Sequence, residues 1–225
     1  MKKEKLTIIG TAHVSKKSVD EIKKAIYEQK PDVVAIELDK ERYYCLLQEK
    51  KANEVDEKIS MMKIIKKGKI GFFMAGYLLN YVQREIGERH GIKPGSEFVA
   101  AIQAAKDINA KIALIDRDVN ITLQRALNKV TWREMMKFLY GIIISFFSNE
   151  DEVDVEQLKE SDILDEIMEY FKDMCPNAYK VLVTERDAYL ANNILNIKED
   201  HVIAIVGAGH KKGINYYLEN PTLLS

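Results

Sequence analysis

An α/β fold with a central, mostly parallel sheet and large helical insertions is predicted by three features of the chain. Four short runs are rich in Val and Ile, segments of helical periodicity separate them, and the first and last runs each lead into a Gly-x-x-His motif. Apolar runs that do not alternate strictly with polar residues suit parallel strands covered on both faces. The site of such a sheet lies beyond the C-terminal edge of its strands.

The first strand is read over Leu6–Gly10. Ser15 is placed to cap a helix reaching Lys30, on which Val19, Ile22 and Ile26 share one face, and Pro31 stops it. Val33–Leu38 is the second strand and completes a β-α-β unit. From Lys40 to Lys106 the pattern is helical, broken at Gly68, at Gly87 to Gly91 and at Pro94-Gly95. Its last part, Glu97 to Asp107, spaces Phe98, Ala101, Ile102 and Ala105 as a helix does, and leads to a third strand over Lys111–Asp116. A short helix then starts at Asn120 or Thr122 and ends at Asn128. Another runs from Thr131 to Phe147, with Thr131 and Glu134 spaced as a capping box. Residues 148 to 162 are an acidic connection. Helices over Ser161–Met174 and Ala178–Leu195, a fourth strand over Val202–Gly207 and a helix from about His210 follow. The 225 residues read as one domain, with helical insertions at about 40–92 and 130–196.

Charged residues make up 31% of the chain but cancel to a net charge of −1, which argues against a nucleic-acid binder. Cys45 and Cys175 are the only cysteines and form no Cys-x-x-Cys pattern, as expected in a reducing, cytoplasmic compartment. The charged residues at the N-terminus lead straight into the first strand, so no signal peptide is expected. The apolar runs Ile70–Leu79 and Phe138–Phe147 are about half the length of a membrane span, which takes about 20 residues. They are read as buried helices or as contacts for a homodimer or a membrane surface, and no transmembrane segment is expected.

The chain has four histidines, and two of them, His13 and His210, sit just past strand ends. Glu37 ends the second strand, where a carboxylate is costly to bury unless it is paired or ligated. Two His and a carboxylate can hold Mn²⁺, Co²⁺ or Zn²⁺ and leave positions open for water and substrate. Glu37 fits equally as a general base or the partner of an Arg. Arg117, at the end of the third strand, is suited to stabilise an oxyanion or clamp a substrate carboxylate. It is also suited to a structural ion pair with Asp116, Glu97 or Glu185. Glu97 follows Pro94-Gly95 at the start of a helix, whose dipole it would serve. The triplet Glu185-Arg186-Asp187 reads as the solvated face of an amphipathic helix. No P-loop is present, since Gly207 to Gly213 lacks the Gly-Lys-Ser/Thr ending.

In order along the chain, Gly10-Thr11-Ala12-His13, Val33 to Leu38 with Arg42-Tyr43, Pro94 to Phe98, Asp116-Arg117, Thr122 to Ala126, Glu185 to Ala191 and Val206 to Ile214 resemble the TraB/PrgY family. That family is related to GumN and the Tiki proteases. The chain departs from its pattern at Asp118, where Pro is usual, and at Gln124, where a second Arg is common. The resemblance implies an α/β core with helical insertions and a site built from both Gly-x-x-His motifs and Glu37, with acidic and Arg residues from the middle motifs. For Tiki-type relatives it implies metal-dependent peptide cleavage. For PrgY-type relatives it implies reduction of peptide pheromone activity by degradation or sequestration. The expected site therefore has His13, His210 and Glu37 as metal ligands, with Glu37 alternatively the base. Glu97 is a further ligand or orients one, and Arg42 and Arg117 position a peptide substrate or stabilise the oxyanion.

Overall fold

Every residue from Val202 to Gly207 is buried, because the strand that holds them, β4 (His201–Gly207), has a neighbour on each side and helices on both faces. In the computed structural model, which describes residues 4–11, 16–47, 95–134, 136–137, 140 and 160–224, four parallel strands form one sheet. Its order is β1 (Lys5–Thr11), β4, β2 (Val33–Ile36) and β3 (Lys111–Leu114). The last strand in sequence thus inserts between the first two. The predicted α/β architecture is present, and much of each helical insertion, including 70–79 and most of 138–147, lies outside the described residues.

The two faces of the sheet are covered separately. Val34, Ile36, Ile203 and Ile205 face α1 (Lys16–Gln29) and α3 (Ser96–Asp107), where they meet Ile22, Ile26, Phe98 and Ile102. Their alternates Val33, Ala35, Val202, Ala204 and Val206 face α7 (Glu185–Asn196) and α8 (Ala208–Glu219), meeting Leu190, Ile194 and Ile214. Burial on both faces explains the near-continuous apolar runs.

The remaining elements are α2 (Lys40–Leu47), α4 (Val119–Lys129), α5 (Glu160–Met174) and the single turn α6 (Pro176–Tyr179). A π-helical turn, Lys180–Thr184, joins α6 to α7 without a break. Among the described residues no helix is long and apolar enough to cross a membrane.

Boundaries differ from expectation where the chain turns toward the site. The second strand ends at Ile36, two residues early, because Leu38 N–H bonds Ile36 O and the backbone bends there, and the third ends at Leu114, opposite Ile36. The cap of α4 is Asp118, which accepts from Asn120 N–H at 2.7 Å. α8 begins at Ala208 rather than His210, which puts His210 inside its first turn.

The capping box at Thr131 and Glu134 is present and does more than its spacing implies. Glu134 Oε2 accepts from Thr131 N–H at 2.8 Å and Glu134 N–H donates back to Thr131 Oγ1 at 3.3 Å. The same carboxylate accepts from Asn177 N–H at 2.6 Å and from Asn177 Nδ2 at 3.1 Å, at the first turn of α6. One buried side chain therefore satisfies two helix N-termini. Glu134→Ala is expected to destabilise the fold by about 2–3 kcal/mol in urea denaturation, more than a single lost cap. Thr131→Ala is expected to cost about 1 kcal/mol.

Candidate functional site

β1 and β4 pair in register, with Gly10 opposite Val206 and Thr11 opposite Gly207. The two Gly-x-x-His motifs thus leave neighbouring strands one step apart at the C-terminal edge. Gly10 lies so close to the start of α8 that a Cβ there would sit 3.2 Å from Ala208 Cα, so a larger residue would need α8 to give by a few tenths of an ångström. His13 lies outside the described residues. His210 leaves the central strand beside Glu37, from β2.

The charges at this edge converge on Arg186, in the first turn of α7. Its Nη2 donates to Glu37 Oε1 at 2.6 Å and to Asp116 Oδ2 at 2.7 Å, while Nε donates to Asp116 Oδ1 at 3.3 Å. Its Nη1 lies 3.0 Å from His210 Nε2. A guanidinium only donates, so Nε2 accepts and the imidazole proton resides on Nδ1. That proton goes to Asp187 Oδ1, 2.6 Å away. The ring is therefore neutral, with an orienting carboxylate behind it and its lone pair facing the cluster, as a ligand or a general base requires.

Glu37 is fixed at both oxygens, since Oε2 accepts from Gly207 N–H at 2.6 Å, at the positive N-terminal end of α8. The side chains of Glu37, Asp116 and Asp187 are 7, 4 and 6% exposed, so their pairing is obligatory. Burial opposes the charge of Arg186, but Asp116 and Glu37 outweigh it and raise its pKa. Burial pushes the Asp187 carboxyl above the usual range, with the His210 hydrogen bond and the charge of Arg186 opposing.

The Glu185-Arg186-Asp187 triplet is not the solvated face that its composition suggested: Asp187 is buried and the side chains of Glu185 and Arg186 are each only 17% exposed. The missed signal was phase. Asp187, Leu190, Ala191 and Ile194 occupy one buried stripe of α7, so Asp187 stands at a core position. Asp116, considered only as a partner for Arg117, instead holds Arg186.

Of the other predicted residues, Arg42 is half-exposed at the rim, with Nη1 3.8 Å from Asp116 Oδ2. Arg117 turns to α4 and α7. Its Nε donates to Thr122 Oγ1 at 3.0 Å and Nη1 sits 3.7 Å from Glu185 Oε2, the ion pair anticipated with Glu185. Glu97 is buried in the first turn of α3, in the helix layer opposite α7 and α8. Among the described residues no group of three His, Cys, Asp or Glu is arranged to hold a metal ion. His210 Nε2 and Glu37 Oε1 are 3.6 Å apart, a spacing at which two donors can share one ion, with the Arg186 guanidinium now against both. By donor type the pair is one that divalent ions take, but as placed both donors are engaged by Arg186.

Gly213, one turn beyond His210, completes the packing. A methyl group there would overlap the Asp187 carboxylate. Gly213→Ala is expected to lower stability by about 1–3 kcal/mol and to remove the Nδ1–H···carboxylate signature of His210 in imidazole NMR spectra. Glu185 titrates nearby. Burial raises its pKa, but hydrogen bonds from Arg125 and Lys129 outweigh this and hold it at about 2 against the usual 4.5. Its folded pKa lies below its unfolded one, so its contribution is complete above about pH 4.5 and is lost as the pH falls toward 2. Glu185→Gln is expected to cost on the order of 2 kcal/mol at pH 6, screening by solvent included, with the difference narrowing through that acid window in pH-dependent melting curves.

A model of the TraB/PrgY/gumN family matches residues 1–221. An uncharacterized protein of Methanocaldococcus jannaschii is 37% identical over 221 residues, which cover 94% of this chain and 53% of that protein. TraB domain-containing proteins of Mus musculus and Homo sapiens are 29% and 28% identical over 230 residues, 92% of this chain and 61% of each relative. The chain thus spans 53 to 61% of the length of these curated relatives.

Proposed function

The chain belongs to the TraB/PrgY/gumN family, and on that footing we propose that it is a metal-dependent hydrolase acting on small or unfolded peptides. The observation that carries this reading is the Asp187–His210 pair, with His210 Nε2 3.6 Å from Glu37 Oε1. His210 and Glu37 would hold a divalent ion together with His13. Such an ion, Mn²⁺, Co²⁺ or Zn²⁺, supplies a water of lowered pKa and polarises the scissile carbonyl.

The protein's own groups do the positioning. Asp187 keeps the imidazole in the Nδ1–H tautomer and sets its plane. The Gly207 N–H and Arg186 hold the two oxygens of Glu37 in place. Arg186, braced by Asp116, presents a fixed positive charge to an oxygen that gains negative charge during acyl transfer. Arg42 and Arg117 would orient the peptide, and Glu97 would support the ligands from the α3 side or join them.

One observation favours a second reading, in which the chain binds and sequesters peptides without turnover. The Arg186 guanidinium already engages Glu37 Oε1 and His210 Nε2, so both candidate metal donors are occupied with no added cation. Calorimetric titration of purified protein with Mn²⁺, Co²⁺ and Zn²⁺ separates the two. The hydrolase reading requires about one ion per chain, binding lost in His13→Ala/His210→Ala, and metal-dependent cleavage in a peptide library. An absence of metal binding to the wild type overturns it and leaves sequestration.

A further inference from the structure

Next to the cluster lies a second group of charges, with three cations turned on one carboxylate. Arg125 Nε and Lys129 Nζ lie 2.8 and 2.7 Å from the two oxygens of Glu185, and Arg117 approaches the same carboxylate at 3.7 Å. Thr122, Arg125 and Lys129 project from one side of α4, and Thr122 holds the Arg117 guanidinium in place. The arrangement leaves positive charge in excess. The Arg117 side chain is 11% exposed, and its Nη2 is buried with no acceptor among the described residues. Burial lowers the pKa of Arg117, and repulsion from Arg125 adds to the effect, so its charge is under-compensated. A buried guanidinium nitrogen without an acceptor is costly to keep unless an anion completes it. Arg125 and Lys129 are 47 and 40% exposed, so an anion arriving from solvent meets them first.

We propose that Arg117, Arg125 and Lys129 form a subsite for a carboxylate of the peptide substrate. Its position follows from the chain: Arg117 adjoins Asp116 and Glu185 adjoins Arg186, so the subsite sits one residue from the charges that hold Glu37 and His210. A substrate carboxylate meets the half-exposed Arg125 and Lys129, shared with Glu185, and a shift of these side chains brings it to the buried, unpaired Nη2 of Arg117. The chain thereby selects peptides by a free carboxylate, whether at the C-terminus or on an acidic side chain. This inference rests on the peptide-site reading above but on neither metal nor turnover.

The test is equilibrium binding in EDTA with mixed-sequence pentapeptide pools, measured by competition against a labelled peptide. One pool ends in a free acid, the second in a carboxamide, and the third is a carboxamide carrying one internal Asp. The free-acid pool is expected to bind at least about tenfold tighter than the plain carboxamide. Recovery of that advantage by the Asp pool identifies the side-chain source, and its absence identifies the C-terminus. Arg117→Lys is expected to reduce the advantage below about threefold. Arg125→Gln/Lys129→Gln is expected to do the same; because it also unpairs Glu185 it lowers the melting temperature, so binding is compared well below the melting temperatures of both proteins. Equal binding of acid and amide, no free-acid binding below about 1 mM, or an advantage that survives both variants overturns the subsite. The metal titration is independent, so its failure removes the hydrolase and leaves the carboxylate preference to stand or fall alone.

Discussion

Arg186 is the hinge of the electrostatics at the sheet's C-terminal edge. Glu37 and Asp116 come from two different strand ends and are almost fully buried, and neither has another cation so close among the described residues. Replacing a buried, paired arginine with a neutral residue leaves two carboxylates in a medium that cannot solvate them, a loss that typically reaches 3–5 kcal/mol. The same guanidinium determines the chemistry of His210. Because it can only donate, it forces the imidazole proton to the far nitrogen, where Asp187 takes it. One side chain thus pairs two buried acids and sets the tautomer of a histidine.

The fold explains how such a cluster can be built. β4 lies between β1 and β2, so a residue just past its end reaches the ends of both neighbours. Glu37 bonds across that junction to the first backbone N–H of the α8 turn, which ties β2 to the strand inserted beside it. α7 delivers Arg186 and Asp187 from outside the sheet. The π-helical turn before it carries the chain continuously from the α6 anchor, where Glu134 holds Asn177, into the charged triplet. Distant sequence segments meet because each is pinned by a short polar contact at a helix terminus.

Much of this was legible in residue pattern. The four strands, the helix over residues 16 to 29 and the capping box at Thr131 follow from local spacing, and local spacing is what determines those elements. Glu37 announced itself as an acid in an apolar strand. Strand order was not legible, since parallel pairing depends on which helices can pack on each face rather than on a strand's own composition. Arg186 and Asp187 escaped for a related reason. A charged triplet reads as solvated until it is phased against Leu190, Ala191 and Ile194, which put Asp187 in the core stripe and leave its partner to come from 23 residues away. Gly213 was weighed against a phosphate-loop pattern, although its role is to leave room for Asp187.

The alternation of sign along Glu185, Arg186 and Asp187 has a consequence for folding fidelity. Each residue projects about 100° from the last and meets its own partner: the α4 cations, the strand-end acids and the His210 ring N–H. A docking of α7 rotated by one residue would set a carboxylate against Glu37 and Asp116 or a guanidinium against Arg125. The apolar stripe alone tolerates sliding, because Leu, Ala and Ile are interchangeable to a greasy surface. The charges are not interchangeable, and they act as a key with one orientation. Misdocked intermediates are thereby raised in energy relative to the native one before the final packing forms.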